Sequence, residues 1–237
     1  MKSSKSLDRE LDILYYSLSS IGFRVSHGLK STQKQNSSID IESVLVKSLF
    51  YMDLDGRLFS LVVSWLDVHG SHLVFDKFLK KYKKESRERG EKSPWFNAVC
   101  SFMSKVKKDH RFSKHTSRLA KDHHFGGRDQ SSLIALKGEI DWLSEVGIKM
   151  ARTSLRLRRS DIESIDDLIS KNLQYRNRFI FGANWRSEII TKIQQGNCST
   201  PASIARELGI SRSRVGSVFG DYMKLKVARR YSLGYES

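Results

Sequence analysis

The chain has 237 residues, 39% hydrophobic and 29% charged, and its 42 Lys and Arg against 26 Asp and Glu leave a formal net charge of +16. Twelve Phe, eight Tyr and four Trp supply enough large apolar side chains for real cores, which excludes wholesale disorder. Two prolines suit a mostly helical chain, while two cysteines, Cys100 and Cys198, exclude a disulfide framework and fit a reducing cytoplasm.

The N-terminal residues MKSSKSLDRELDILYYSL carry charges throughout and read as neither a secretory signal nor a membrane anchor. Leu7, Leu11, Leu14, Tyr15, Leu18 and Ile21 fall on one face of an amphipathic helix. Residues 31–38, STQKQNSS, read as a polar linker. Asp40 is placed to cap a helix carrying Ile41, Val44, Leu45, Leu49 and Met52, and residues 53–56 read as a turn. A second helix follows over Leu58–Leu66, interrupted by Ser60 and Ser64 and far too short to span a bilayer. After a break at residues 69–71 a third is expected from His72 through Phe75, Phe78 and Leu79 to Tyr82.

Residues 77–128 carry 16 Lys and Arg against 5 Asp and Glu, a local excess of 11 positive charges. Their aromatics, Phe78, Tyr82, Trp95, Phe96, Phe102 and Phe112, have helical spacing that favours core packing over stacking on the bases of a single strand. Pro94 opens another helix, and residues 123–127 read as a loop. A helix over 131–146 is predicted to turn Leu133, Leu136, Ile140 and Leu143 inward, with Gly147 after its end. Residues 152–158, RTSLRLR, alternate as a short strand would, and 161–172 read as an acidic amphipathic helix.

The sharpest pattern lies at 185–227. A helix with Ile189, Ile190 and Ile193 stops at Gly196. Thr200 is a favourable N-cap and Pro201 sits at the first helical position, where its missing N–H costs nothing. The short helix 202–208 presents Ile204, Ala205 and Leu208 inward, and Gly209 can take the left-handed conformation that ends it. Ser211 then opens a helix whose apolar positions are Val215, Val218, Phe219, Tyr222 and Leu225. Two helices joined by a short Gly-containing turn have the form of a helix-turn-helix.

Residues 201–220 resemble the helix-turn-helix of bacterial transcription regulators. Ala205 matches the small residue between the helices, Gly209 the turn, Ile210 the apolar residue after it, and Val215 and Val218 the buried positions of the recognition helix. The stretch 178–190 resembles the entry to winged-helix domains, and the likeness covers roughly the last quarter of the chain. It implies a recognition helix in the major groove of double-stranded DNA, with Ser211, Arg212, Ser213, Gly216 and Ser217 facing base edges. Arg212 could pair bidentately with guanine, while Arg206 and Arg214 hold phosphates; Thr200 opens the motif. A wing over 226–235 would add Arg229 and Arg230. Gly216 is unusual inside a helix and reads equally as close approach to a duplex or as crowding against another helix.

No pattern for a metal or for catalysis stands out. His69 and His72 lie near Asp67, and His110, His115, His123 and His124 lie in the basic region, yet none has zinc-ligand spacing. Cys100 reads as a core thiol and Cys198 as an exposed loop residue; no P-loop, GxGxxG or nucleophile elbow is present. The sequence therefore predicts a mainly α protein: a basic helical domain over 1–172, serving dimerisation or extra DNA contact, and a helix-turn-helix domain over 173–237. The expected role is repressor-like transcription regulation by a cytoplasmic, nucleoid-associated homodimer with no enzymatic activity, cofactor or membrane part. The alternatives are a DNA-binding component of a larger system with a protein partner (plasmid replication or partition, phage defence, toxin–antitoxin) and a metal-dependent nucleic-acid-processing enzyme.

Overall fold

The computed structural model describes residues 4–26, 39–127, 129–196 and 200–233, with side chains in the last helix described as far as 225. The expected linker at 31–38 and Cys198 lie outside them. The chain is mainly helical and divides into two compact units, Met1–Leu168 and Ile169–Ser237, a boundary a few residues before the one expected at 172.

In the first unit, α1 (Ser4–Ser19) turns Leu14 and Leu18 into the core. Asp40 caps α2 (Ile41–Ser48) by accepting the Ser43 N–H at 2.9 Å. Helix α3 (Leu58–His69) buries ten of its twelve residues and runs through the middle of the unit, as a helix apolar on nearly all sides must. Its two serines are not defects in that surface. Ser60 Oγ accepts the Arg156 N–H at 3.3 Å and Ser64 Oγ accepts the Arg158 N–H at 2.7 Å.

Helix α4 starts at Phe75, three residues later than expected, and ends at Arg89 with Gly90 in the left-handed region. Buried Lys77 on this helix is paired with Asp40 and, at 3.4 Å, with Glu42, whose other carboxylate oxygen accepts the Val74 N–H. Burial alone would raise the Asp40 carboxyl; Lys77 and Lys81 instead hold it well below the usual carboxylate range. Ser93 caps α5 (Pro94–Ser101), which continues as a π-helical turn, Phe102–Val106. Phe78, Tyr82, Trp95, Phe96, Phe102 and Phe112 of the basic segment are buried, and Phe125 is half-buried. Tyr82 and Phe96 stack with ring centroids 3.8 Å apart, and Trp95 lies 4.7 Å from Phe59.

Three expectations for the remainder of this unit need correction. The helix expected over 131–146 is two pieces, α6 (Ser131–Lys137) and α7 (Asp141–Ser144). Gly138, at φ +75°, breaks the run, and the Ile140 N–H goes to the Met150 carbonyl instead of back along a helix. Leu133 and Leu136, expected inward, are therefore exposed, while Ile140 and Leu143 are buried. The strand expected at 152–158 is a 3-10 turn, Arg152–Ser154, followed by extended chain whose N–H groups meet the hydroxyls of α3. The residues that do form strands are His123–His124, expected as loop, and Ile148–Lys149, which pair in parallel.

The acidic helix expected from 161 begins only at Ile165 (α8, Ile165–Lys171). Upstream, Ile162 bridges antiparallel to Phe23, and the Glu163 N–H reaches the Gly22 carbonyl. Such pairing with the end of α1 cannot be read from local spacing.

Candidate nucleic-acid interface

The second unit contains α9 (Leu173–Phe181), α10 (Trp185–Gln195), α11 (Pro201–Leu208) and α12 (Arg212–Leu233). Each boundary has a local cause. Asn172 and Asn184 cap α9 and α10 through their side-chain oxygens. Gly196 ends α10 at φ +73°. Thr200 Oγ1 accepts the Ser203 N–H at 3.2 Å and Ser203 Oγ accepts the Thr200 N–H at 3.3 Å, a reciprocal capping box with Pro201 next in the chain.

Gly209, at φ 62° and ψ 43°, closes α11, and its own backbone N–H bonds to the Ala205 carbonyl. Three residues, Gly209, Ile210 and Ser211, then turn the chain into α12, where the Val215 N–H bonds to the Ser211 carbonyl at 3.3 Å.

A dedicated core holds α10, α11 and α12 together. Ile189, Ile204, Ala205, Leu208 and Val215 are buried, and Trp185, Ile193, Ile210, Val218 and Phe219 pack around them. These are the inward positions that the spacing predicted. Exposed ion pairs brace the rim: Lys192 of α10 with Glu207 of α11, and Arg186 of α10 with Asp221 of α12 at 3.6 Å.

With Val215 and Val218 turned inward, the opposite face of α12 carries Ser213, Ser217, Gly220 and Lys224 at helical spacing. Ser211, Arg212, Ser213, Arg214 and Ser217 are exposed, as is Arg206 on α11; Gly216 is half-buried. Among the described residues Arg206, Arg212 and Arg214 have no hydrogen bond or ion pair. A Cβ built on Gly216 or Gly220 meets nothing within 4 Å, so crowding against another helix of this chain does not explain either glycine. Thr200 is exposed but its hydroxyl serves the cap.

The wing expected over 226–235 does not form. Residues 226–233 continue α12 as helix, so Arg229 and Arg230 extend its line instead of a β-hairpin; their side chains lie outside the described part. Between Gly220 and Gly234 the chain has no Gly, Pro or Asn to start a hairpin.

Sequence reasoning missed α9 and the seam that fastens it to α10. Arg178 Nε donates to Glu188 Oε1 at 2.7 Å, with both side chains buried, and Gln174 donates to the other carboxylate oxygen at 2.8 Å. Asn177 Nδ2 donates to Thr191 Oγ1 at 2.9 Å and to Gln194 Oε1 at 2.7 Å. Asn172 was the available signal for the start of α9. Its inward face is polar, so apolar periodicity could not find it.

The histidines and Cys100 are engaged elsewhere. His69 is buried and lies 3.0 Å from the Glu163 carbonyl, while Asp67 pairs with Lys107 and Arg159. His123 Nε2 lies 2.9 Å from Asp53 Oδ1, and His115 packs on Phe75. Burial pushes the Cys100 thiol far up, away from the thiolate that nucleophilic chemistry needs.

No protein-family model, curated protein or solved structure matches this chain.

Proposed function

We propose that the second unit is a helix-turn-helix that binds double-stranded DNA, with the N-terminal half of α12 entering the major groove, and that the protein regulates transcription by occupying its site. The observation that carries this reading is the set of exposed, unpaired arginines, Arg206, Arg212 and Arg214, grouped around a turn that is rigidly held from behind. Unpaired guanidinium groups can pair with guanine edges or phosphates without first breaking an ion pair. Ser211, Ser213 and Ser217 add hydroxyls that donate or accept, and the open space over Gly216 lets a duplex come close. The capping box at Thr200 holds the first turn of α11, the helix that carries Arg206.

The test is fluorescence anisotropy on a duplex of about 30 base pairs, comparing wild type with Arg212→Ala/Arg214→Ala across a salt series. Each lost phosphate contact removes about one unit from the slope of log K against log salt. A shallower slope and weaker binding are expected in the variant. Equal binding by both proteins removes the major-groove assignment.

One recognition helix reads few bases, and two-fold pairing doubles the site. Phe179 and Ile180 on α9, 54% and 62% exposed, are the surface we assign to self-association. Light scattering on wild type and Phe179→Ser/Ile180→Ser checks this, with a dimer expected only for wild type. A monomeric wild type removes the homodimer and leaves the patch to a different protein, the arrangement of a component of a larger system.

A further inference from the structure

The large positive excess of residues 77–128 is not spread evenly over the first unit once its ion pairs are drawn in. Lys77 is buried against Asp40 and Glu42. Arg89 pairs with Glu85, Lys105 with Glu145, Lys107 with Asp67, Arg111 with Asp109 and Arg118 with Asp122. Lys92, Lys108 and Lys121 are exposed elsewhere in the segment, and four cations lie together on one face of α4. Lys80, Lys83, Lys84 and Arg87 follow one another at intervals of three, one and three residues, so they form a single stripe along the helix. Lys84 shares a loose exposed pair with Glu88, and Asp76 stands at the N-terminal end of the stripe.

The side chains of Lys83 and Arg87 have no ion pair or hydrogen bond among the described residues, and neither has that of Lys114 on the 3-10 turn His110–His115. Lys114 is carried alongside α4 by its neighbour His115, whose ring lies 5.4 Å from Phe75 of α4 and 6.1 Å from Phe96, the ring that stacks on Tyr82 of α4. Three exposed cations thus stand together with no acidic side chain of the same unit paired to them.

We propose that this stripe, centred on Lys83, Arg87 and Lys114, is a second nucleic-acid surface that grips the phosphate backbone of a duplex, separate from the α12 site.

The chemistry selects among polyanions. Stacking on unpaired bases needs exposed aromatic rings; six of the seven aromatics of this segment are buried and the seventh, half-buried Phe125, packs edge-on against Trp95, so a single strand finds no row of rings to stack on. A membrane-surface helix needs an apolar face to insert, and the apolar face of α4, Phe78 and Tyr82, is already buried in the core. Protein interfaces are depleted in Lys and organised around aromatic anchors, which the stripe lacks. Lysines act well as point charges on phosphate, and a phosphate-only surface holds DNA without reading its sequence. The surface therefore supplies affinity and salt dependence, while discrimination between sequences stays with α12. That division rests on the function proposed above, whereas the stripe itself does not.

The experiment uses the full-length protein and one mixed-sequence duplex. Wild type, Lys83→Ala/Arg87→Ala/Lys114→Ala, and Arg212→Ala/Arg214→Ala are titrated by anisotropy from low to physiological salt. Exposed Lys and Arg to Ala changes leave folding intact, which circular dichroism verifies. The triple variant is expected to lose about two to three units of salt slope and roughly tenfold or more in affinity. Its loss should be the same on every duplex sequence.

An unchanged slope and affinity in the triple variant, with loss only in the α12 variant, overturns the stripe and keeps the regulator. Loss only in the triple variant keeps the stripe and removes the α12 site. No binding by wild type, or binding only to anionic phospholipid vesicles, overturns both.

Discussion

Gly216 offers a single-atom test of the interface. A methyl group there meets nothing within 4 Å, and replacing a helix-interior glycine by alanine is worth about 1 kcal/mol of helix propensity. Gly216→Ala should therefore raise the melting temperature, and Gly216→Leu should leave the fold intact while weakening duplex binding severalfold. Calorimetry and anisotropy on the same samples check both. A leucine variant that binds as wild type does would mean that nothing approaches α12 at this point. His69 gives the corresponding test for the first unit. Burial holds its imidazole at about 4 against an ordinary 6.5, and its neutral ring donates to the Glu163 carbonyl. Between those two pH values the unfolded chain binds a proton that the folded chain refuses. Stability is thus complete above about 6.5 and falls as the pH drops through the window toward 4. Melting temperatures measured at steps from pH 7 to pH 4 should decline in wild type and decline less steeply over that range in His69→Gln. Parallel curves would show that the drop has another source.

The α9–α10 seam depends on a buried charge pair, and this makes its response to mutation asymmetric. Arg178→Met strands the Glu188 carboxylate in a buried site and should cost about 3–5 kcal/mol, whereas Arg178→Met/Glu188→Leu should recover much of that loss. Urea denaturation of the two variants measures the difference, and equal losses would mean that the pair is not desolvated as the structure has it. The capping box at the start of α11 is a smaller effect: Thr200→Ala should cost about 1 kcal/mol, read as a lower urea midpoint. The elements that local spacing located are those whose causes are themselves local. Asp40 before α2, Pro94 in α5, and Thr200 with Pro201 and Gly209 around α11 are short-range chemistry, and the structure has them where the sequence did. The failures share a different cause. Gly138 splits a helix because residues 139–151 have pairing partners of their own, and the wing gave way to a longer α12 because nothing after Gly220 breaks the helix.

Viewed as one polyelectrolyte, the protein divides its charge by function. Most cations of the first unit neutralise carboxylates that hold its loops, so a net charge read from composition overstates what is available for binding. Among the described cations with no ion pair, Lys83, Arg87 and Lys114 lie in one unit and the arginines around the α11–α12 turn in the other. The sequence made the positive excess of 77–128 visible. Which lysines are spent on carboxylates was not visible, because Asp67 and Glu145 are distant in the chain from Lys107 and Lys105. The core behind α12 was legible nearly residue by residue, since it repeats at helical intervals over about thirty positions; the buried polar seam of α9 and α10 was not.

Helix α6 buries none of its seven side chains fully, and Leu136 on it is 78% exposed. A helix so short cannot persist by propensity alone, and here tertiary packing gives it little. Its amide protons should exchange with solvent far faster than those of α3, which is enclosed along almost its whole length. Limited proteolysis of the native protein should accordingly cut between Ser131 and Gly138 before it cuts within α3, and fragment masses identify the cut.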